Sequence, residues 1–533
     1  MTSRFATLRF FALGVCLLAL FFGLQPAWAD PAIYQVGDDP AVGFNLISWW
    51  NFGGSGASTW QNAVQGLYNA GFRDVSISPV RFVNINTGAI LATSQRGPEL
   101  SHIEAGVVRA KSLGMRVTLN PFVELFDAHG TGTADDEYFA DLPGGCTWRG
   151  CWNPTAGGAV ANQFWSDYQN YLGGVAQIAS NHNVDAMTVG TEYKALNGNS
   201  GHNAKWSSAI NAVADAYQGP LGYAANWDDY RNGNLTTAIW EHPEIDFIGI
   251  DSYFDSVLYD YFKYQNPGAT NSQIATLVDS AVNPIQGYPD QAFIDLMTDA
   301  WNKFLDIDSP TQFVSGSPSR TYFAHDGILS FAAARKGGAG MPVVFTEQGY
   351  PYFNTGAKSP QVGSGSADTA EQRMAFQGLM NALDGRSDVF EAMHVWQWGM
   401  PGSDGSQWNM DTTLPANQPD NVPASQWLAQ FVGTAELPLA GDYNRDGNVD
   451  AADYAIWRKN MGQFVLQYSG ADGDGNGIIG AGDYAAWRAN FGSAMGGGAV
   501  SSVPEPAARS VLLCAVATAL FGLSPRNWRA VRV

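Results

Sequence analysis

Eight short apolar runs recur between positions 40 and 435, each bounded by glycine, proline or polar residues. They are VGFNLISWW (42–50), DVSISPVRFV (74–83), MRVTLNPFVEL (115–125), AMTVGTEY (186–193), LGYAANW (221–227), DFIGIDSYF (246–254), PVVFTEQGY (342–350) and AMHVWQWG (392–399). Most are continuous rather than alternating, as strands buried on both faces should be. Stretches with helical spacing lie between them. STWQNAVQGLYNAG predicts a helix capped by Ser58 or Thr59 and stopped by Gly71. SHIEAGVVRAKSLG predicts another, with Ser101 as N-cap, Glu104 completing a capping box and Gly114 as the stop. Alternating strands and helices imply a parallel sheet. Eight such units over about 390 residues predict an α/β fold, a (β/α)8 TIM barrel, with its largest insertion at roughly 255–340. An open, doubly wound sheet is the alternative.

The pattern changes after residue 435. GDYNRDGNVDAADYAIWRKNMG is followed by a second copy, ADGDGNGIIGAGDYAAWRANFG, whose first Asp, 472, lies 30 residues after Asp442. Each copy fits a calcium loop. Asp442, Asn444, Asp446, Asn448 (through its carbonyl) and Asp453 supply oxygens in the first, with Gly447 at the turn. Asp472, Asp474, Asn476, Ile478 (carbonyl) and Asp483 do so in the second, with Gly477 at the turn. A helix is expected to start on Asp453 and on Asp483. The pair resembles a type I dockerin, a small α-helical, EF-hand-like calcium module. That resemblance implies Ca2+ as a structural ion and makes a cohesin-like protein a candidate partner.

Composition sets the class. Aromatics are 13% and charged residues 14% of the 533-residue chain, a globular profile. A net charge of -21 argues against nucleic acid, whose phosphates would be repelled. The 18 tryptophans suit either a large aromatic core or stacking on sugar rings. Arg4 and Arg9, an apolar stretch from Phe10 to Leu24 and Ala27-Trp28-Ala29 read as a signal peptide over 1–29. The organisation expected is therefore signal (1–29), catalytic barrel (30–435), calcium module (436–495), and linker with tail (496–533). In that tail Val503-Pro504-Glu505-Pro506, an apolar run and Arg526, Arg529 and Arg532 occur in order. This resembles a PEP-CTERM sorting tail, implying a secreted or envelope-associated protein with transient membrane contact. Export favours a local disulfide between Cys146 and Cys151 in CTWRGC, pinning Trp148 and Arg149.

In a (β/α)8 barrel the C-terminal strand ends carry the active site. The fourth expected strand ends in Glu192 (VGTEYK) and the seventh in Glu347 (FTEQGY). A lone carboxylate closing an apolar strand is costly to bury without a task. Two carboxyls facing each other are what glycoside hydrolysis requires, about 5–5.5 Å apart in the retaining version. The chain resembles the clan A retaining glycoside hydrolases, most closely the β-mannanases of family 113. That resemblance implies Glu192 as general acid/base, Glu347 as nucleophile, and Tyr253 of GIDSYF as the nucleophile's hydrogen-bond partner, with no cofactor for the chemistry. It implies Trp396 or Trp398 of VWQWG as a platform under the reacting sugar, with one of the two facing the helices. Trp49, Trp50, Asn120, Asn226, Trp227 and Asp251, at or beside strand ends, are further substrate-binding candidates. Two motifs depart from the family pattern: Thr191 replaces a common Asn, and Asn120-Pro121-Phe122 replaces Lys-Pro-His. The expected activity is hydrolysis of a β-linked polysaccharide such as mannan. The alternatives are another clan A specificity (cellulase, xylanase, galactanase) or a non-catalytic carbohydrate-binding scaffold.

Overall fold

The computed structural model describes residues 40–91, 97–126, 148–282, 291–306, 327–361, 364–399, 424–425, 428–429, 441, 443, 448–462, 471 and 479–493. The signal segment, the C-terminal tail, Cys146 and most of the two acidic loops lie outside them. The chain divides into two compact units, Met1–Leu437 and Pro438–Val533.

The first unit is a closed barrel of eight parallel strands. In chain order these are β1 (Ala41–Ile47), β2 (Asp74–Ser78), β5 (Arg116–Leu119), β7 (Ala186–Thr191), β8 (Leu221–Asn226), β9 (Phe247–Asp251), β10 (Val343–Gln348) and β11 (Phe390–Val395). Each falls inside or beside one of the eight apolar runs, and β1 closes the ring between β11 and β2. β1, β2, β7, β9, β10 and β11 are buried at every residue, which explains their continuous apolar character.

Two of the runs are longer than the barrel strands they contain, and proline is the reason. Pro79 ends β2 and Pro121 follows β5, each removing an N–H that the barrel ladder would need. Beyond them the chain continues as β3 (Val80–Asn84) and β6 (Phe122–Phe126), which pair in parallel. With the two-residue β4 (Ile90–Leu91) they form a separate three-stranded sheet. This sheet leaves the C-terminal ends of β2 and β5, the end at which chemistry is expected. Phe122 N donates to Pro79 O at 2.8 Å, tying the two exits together.

The expected helix stops hold. Gly71 (φ 106°) and Gly114 (φ 70°) close their helices in the left-handed conformation that glycine adopts without a Cβ penalty. The expected starts do not hold. The first helix begins at Gly56, run in by a short 3-10 turn at Gly53–Ser55. The hydroxyls of Ser58 and Thr59 therefore bond back to Ser55 O at 2.9 and 3.0 Å rather than capping. The second begins at Leu100 after extended Glu99, and Glu104 pairs with His182 at 2.7 Å instead of completing a capping box.

In the second unit the repeat builds two helices, Ala451–Asn460 and Ala481–Asn490. Each starts two residues earlier than expected. Asp453 and Asp483 are fully buried, and each accepts from the backbone N–H three residues before it (Asp450 N 2.8 Å, Gly480 N 2.5 Å). The two copies contact each other symmetrically. Trp457 Nε1 donates to Gly480 O and Trp487 Nε1 to Asp450 O, both at 2.8 Å, and these are equivalent positions of the repeat.

Candidate active site

Glu192 follows the last residue of β7. Its φ of 56° is unusual for a residue with a side chain and points to a constraint worth its conformational cost. Its N–H is held by Ala224 O of β8 at 2.8 Å. The side chain is buried and accepts three hydrogen bonds. Arg149 Nη2 (2.7 Å) and Trp148 Nε1 (3.2 Å) reach Oε2, and Asn226 Nδ2 (2.7 Å) reaches Oε1. Asn226 terminates β8 and so meets the carboxylate directly.

Arg149 is itself locked. Its Nη1 donates to Glu124 Oε2 at 2.7 Å, its backbone N–H to Glu124 Oε1 at 3.1 Å and its Nε to Thr191 O at 3.2 Å. The guanidinium carbon lies 4.6 Å from the centre of the Phe122 ring. Glu124 belongs to β6, so the side sheet created by the two prolines supplies the anchor. Burial works against the charge on Arg149, but the carboxylates of Glu192, Glu124 and Glu347 outweigh it and raise its pKa. Burial outweighs the pull of Arg149 and raises the Glu124 carboxyl above its ordinary value. All three of its partners are N–H donors, since Leu125 N adds one at 3.0 Å, and that is the bonding of an ionised carboxylate.

Glu347 lies in β10 and is 5% exposed. Tyr253, just past β9, donates its O–H to Oε2 at 3.0 Å, while Oε1 is buried without a partner. Ser252 N and Oγ hold Glu347 O at 2.6 and 2.9 Å, fixing the backbone beneath. Burial, then the neighbouring charges of Asp251 and Glu192, push the Glu347 carboxyl well above the usual range. Burial and the charge of Glu347 keep the Tyr253 phenol protonated and so a donor.

Trp49 and Trp396 join Phe82, Phe122, Ile47 and Val80 in one apolar cluster, with Tyr253 packed against it. This cluster flanks the carboxyls. Trp396 follows β11, tied by its N–H to Gln348 O at 2.8 Å. Trp50 is 38% exposed, and Trp227 packs edge-on to Phe254 with centroids 6.4 Å apart.

Three expected substrate contacts are corrected. Trp398 packs against Phe44 and Phe72 (5.4 and 6.3 Å between centroids) in the layer between strands and helices, so Trp396 is the tryptophan on the side of the site. Asn120 is fully buried, and its Oδ1 takes the hydroxyls of Thr188 and Thr191 at 2.5 and 2.9 Å. It orients the end of β7, and Thr191 faces it rather than a sugar. Asp251 is fully enclosed, with Oδ1 accepting from Thr346 Oγ1 at 2.7 Å and Oδ2 unpartnered. Burial, and next the charge of Glu192, push its carboxyl well up.

Sequence reading missed Glu124 and gave Trp148 and Arg149 no role. The signal for Glu124 was the one that exposed Glu347: a lone carboxylate inside an apolar strand. Cys151 is disulfide-bonded two residues beyond Arg149; its expected partner, Cys146, lies outside the described residues. Of the calcium-loop candidates, Asn448, Asp453 and Asp483 are described, while Asp442, Asn444, Asp446, Asp472, Asp474, Asn476 and Ile478 are not. Among the described residues no cluster of His, Cys, Asp or Glu suits a metal.

Residues 61–285 match the model of Glycoside Hydrolase Family 113. The chain is a glycoside hydrolase. The matched segment includes Glu124, Arg149, Glu192, Asn226, Asp251 and Tyr253. Solved structures similar to the hydrolase include the GH113 β-mannanase of Alicyclobacillus acidocaldarius, at 15% identity and TM-score 0.47, covering 76% of this chain and all of that one. The exo-β-1,4-mannosidase of Opitutaceae bacterium strain TAV5 has 11% identity and TM-score 0.39, with 79% and 63% covered. The endo-1,4-β-mannanase of Rhizomucor miehei has 10% identity and TM-score 0.37, with 74% and 95% covered. No curated protein matches the chain.

Proposed function

We propose that this hydrolase is a retaining β-glycosidase of clan A that cleaves a β-linked polysaccharide, with mannan as the substrate class. The observation that carries the reading is the chain of neighbouring strand ends between the two carboxyls: Glu192 accepts from Asn226, Asn226 pairs in register with Asp251, and Asp251 pairs with Glu347. In the first step a Glu347 oxygen bonds to the anomeric carbon. The bond from that carbon to the leaving oxygen breaks, and Glu192 gives that oxygen its proton. In the second step water attacks the same carbon, Glu192 takes the water's proton, and Glu347 leaves as carboxylate. Tyr253 donates to Glu347 throughout, and Trp396 with Trp49 supplies the apolar face against which a sugar ring stacks. Mannan is favoured because the two strand-end motifs resemble those of the family 113 β-mannanases and the family match spans both Glu192 and Tyr253.

The rest of the chain is read in the same terms. Residues 1–29 direct export and residues 496–533 act as a sorting tail that touches the membrane transiently. The repeat module binds two Ca2+ ions, each held by one acidic loop, and presents a dockerin-like surface to a cohesin-like partner. Calcium serves folding, and no cofactor enters the glycosidic chemistry.

Release of reducing ends from mannan, glucan, xylan and galactan by the purified chain tests the reading. Glu347→Ala should abolish release while leaving the circular dichroism unchanged. Release from xylan or glucan alone would replace the substrate class. No release from any of the four would leave a carbohydrate-binding scaffold.

A further inference from the structure

The proposed reaction gives the two carboxyls different neighbours. Glu347 meets the sugar that is kept, and Glu192 meets the oxygen of the sugar that departs. Tyr253, the donor to Glu347, packs against the cluster that holds Trp49, Phe122 and Trp396, and that surface serves the kept sugar. Trp148 meets the other carboxyl, its Nε1 donating to Glu192 Oε2 at 3.2 Å. It is half-buried, so part of its surface stays accessible beside the acid/base. The ring is fixed in place. Its indole edge is tied to Glu192, and its six-membered ring lies on the backbone of Gly150, where an added Cβ would run into Cη2 and Cζ3. Gly150 stands between Arg149, held by Glu124, and Cys151, held by a disulfide. An aromatic fixed in this way has little side-chain freedom left to lose on binding.

Three residues on, at Cys151, the chain enters a groove of about 500 Å³. Ile85, Trp152 and Pro154 give it apolar walls, and Asn153 and Thr155 add polar groups. Asn199 Nδ2 donates to Asn153 Oδ1 at 2.9 Å and so orients that amide. A concave surface of this size, apolar with a few placed polar groups, suits a short piece of sugar chain. We propose that Trp148 is the platform for the first sugar on the leaving-group side, and that the groove beyond Cys151 takes the units that follow it. The CTWRGC loop then does two things: it braces Glu192 and it grips the part of the substrate that Glu192 releases. An acceptor sugar arriving in the second step meets the same surface, which makes its grip measurable. The inference rests on the roles proposed for Glu192 and Glu347.

A substrate whose leaving group is an ion isolates that side. With 2-deoxy-2-fluoro-β-mannotriosyl fluoride, a Glu347 oxygen bonds to the anomeric carbon and fluoride departs, leaving a trapped glycosyl-enzyme on the full chain. Mannobiose then frees the enzyme. One of its hydroxyl oxygens bonds to the anomeric carbon, the hydroxyl proton passes to Glu192, and Glu347 leaves as carboxylate. The return of activity is timed against mannobiose concentration, and the expected curve saturates. Trp148→Ala should raise the half-saturating concentration roughly tenfold, as the loss of an aromatic contact implies. Trp148→Phe keeps a ring but not the N–H to Glu192. Its limiting rate should fall while half-saturation stays within about threefold of the wild-type value. A residue that only braces Glu192 would change the limiting rate and leave half-saturation where it was. That result in Trp148→Ala overturns the inference. Should Trp148→Ala not fold, the wild-type chain decides. On the trapped enzyme, saturating mannobiose should slow the oxidation of Trp148 by N-bromosuccinimide, read by peptide mass, and an unchanged rate overturns the inference. Failure of the fluoride to label the chain would remove the covalent pair itself, and this inference with it. Labelling followed by a reactivation indifferent to Trp148 removes only the inference.

Discussion

At the scale of single residues, Glu192 and Glu347 differ in what they lose when truncated. Glu192→Ala removes the proton donor for a poor leaving group but not for dinitrophenolate. Its kcat/KM on mannohexaose should fall by roughly 10²–10⁴, with glycosylation by dinitrophenyl mannotrioside largely retained. Equal losses on both substrates would show that Glu192 is not the acid. Tyr253→Phe removes one hydrogen bond to a charged group, worth about 1.5–3 kcal/mol. Turnover should drop by roughly one to two orders of magnitude while KM stays near its starting value. Both glutamates were legible in the sequence because each interrupts an apolar strand at its C-terminal end. Arg149 was not, because nothing in CTWRGC shows which carboxylates it meets. Asp251 was misjudged for a related reason. Strand phase places its backbone beside Tyr253, but phase does not show that Thr346 closes over its carboxyl.

At the scale of elements, the eight barrel strands could be read because burial on both faces leaves an unmistakable apolar run. What escaped was where two of them stop. Pro79 and Pro121 were visible, yet their effect depends on a partner strand beyond the barrel, a long-range pairing that local pattern does not encode. The same limit governed the two strand-eight tryptophans. β11 ends at Val395, so alternation along a strand no longer assigns their faces. The structure assigns Trp398 to the core, and Trp398→Ala should lower stability by about 3–5 kcal/mol in denaturant unfolding with KM little changed. Trp396→Ala should do the converse, raising KM with a smaller loss of stability. Another element carries a pH signature. Glu371, in the helix Thr369–Leu383, holds Ala357 N at 3.0 Å in the segment after β10. Burial pushes its carboxyl up to about 8, against about 4.3 in an unfolded chain. Between those values the unfolded state has lost a proton that the folded state keeps, so stability falls as pH rises from about 4.5 to 8. Asp260, also pushed up to about 8 by burial, adds to the slope. Calorimetry should therefore give a lower Tm at pH 8 than at pH 5.5, and Glu371→Gln should shrink that difference. An unchanged difference would mean that Glu371 is ionised in the fold.

At the scale of the whole molecule, the chain divides into two compact units, and the proposal gives them different ligands. The barrel is stabilised by a large apolar core. Among the described residues, the buried core of the smaller unit is Tyr443, Trp457, Ala471 and Ile479. Its folding should therefore couple to calcium. Chelation by EGTA should remove the helical signal of the repeat and lower its melting transition while that of the barrel stays in place. A melting curve unchanged by EGTA would count against both loops. The most direct test of the double displacement at the pair Glu192 and Glu347 is stereochemical. Proton NMR of mannohexaose during the first turnovers reports the anomer released before mutarotation. The account predicts that the β anomer appears first, as two displacements at one carbon require. The α anomer appearing first would mean a single displacement by water, and would contradict the assignment of Glu347 as nucleophile.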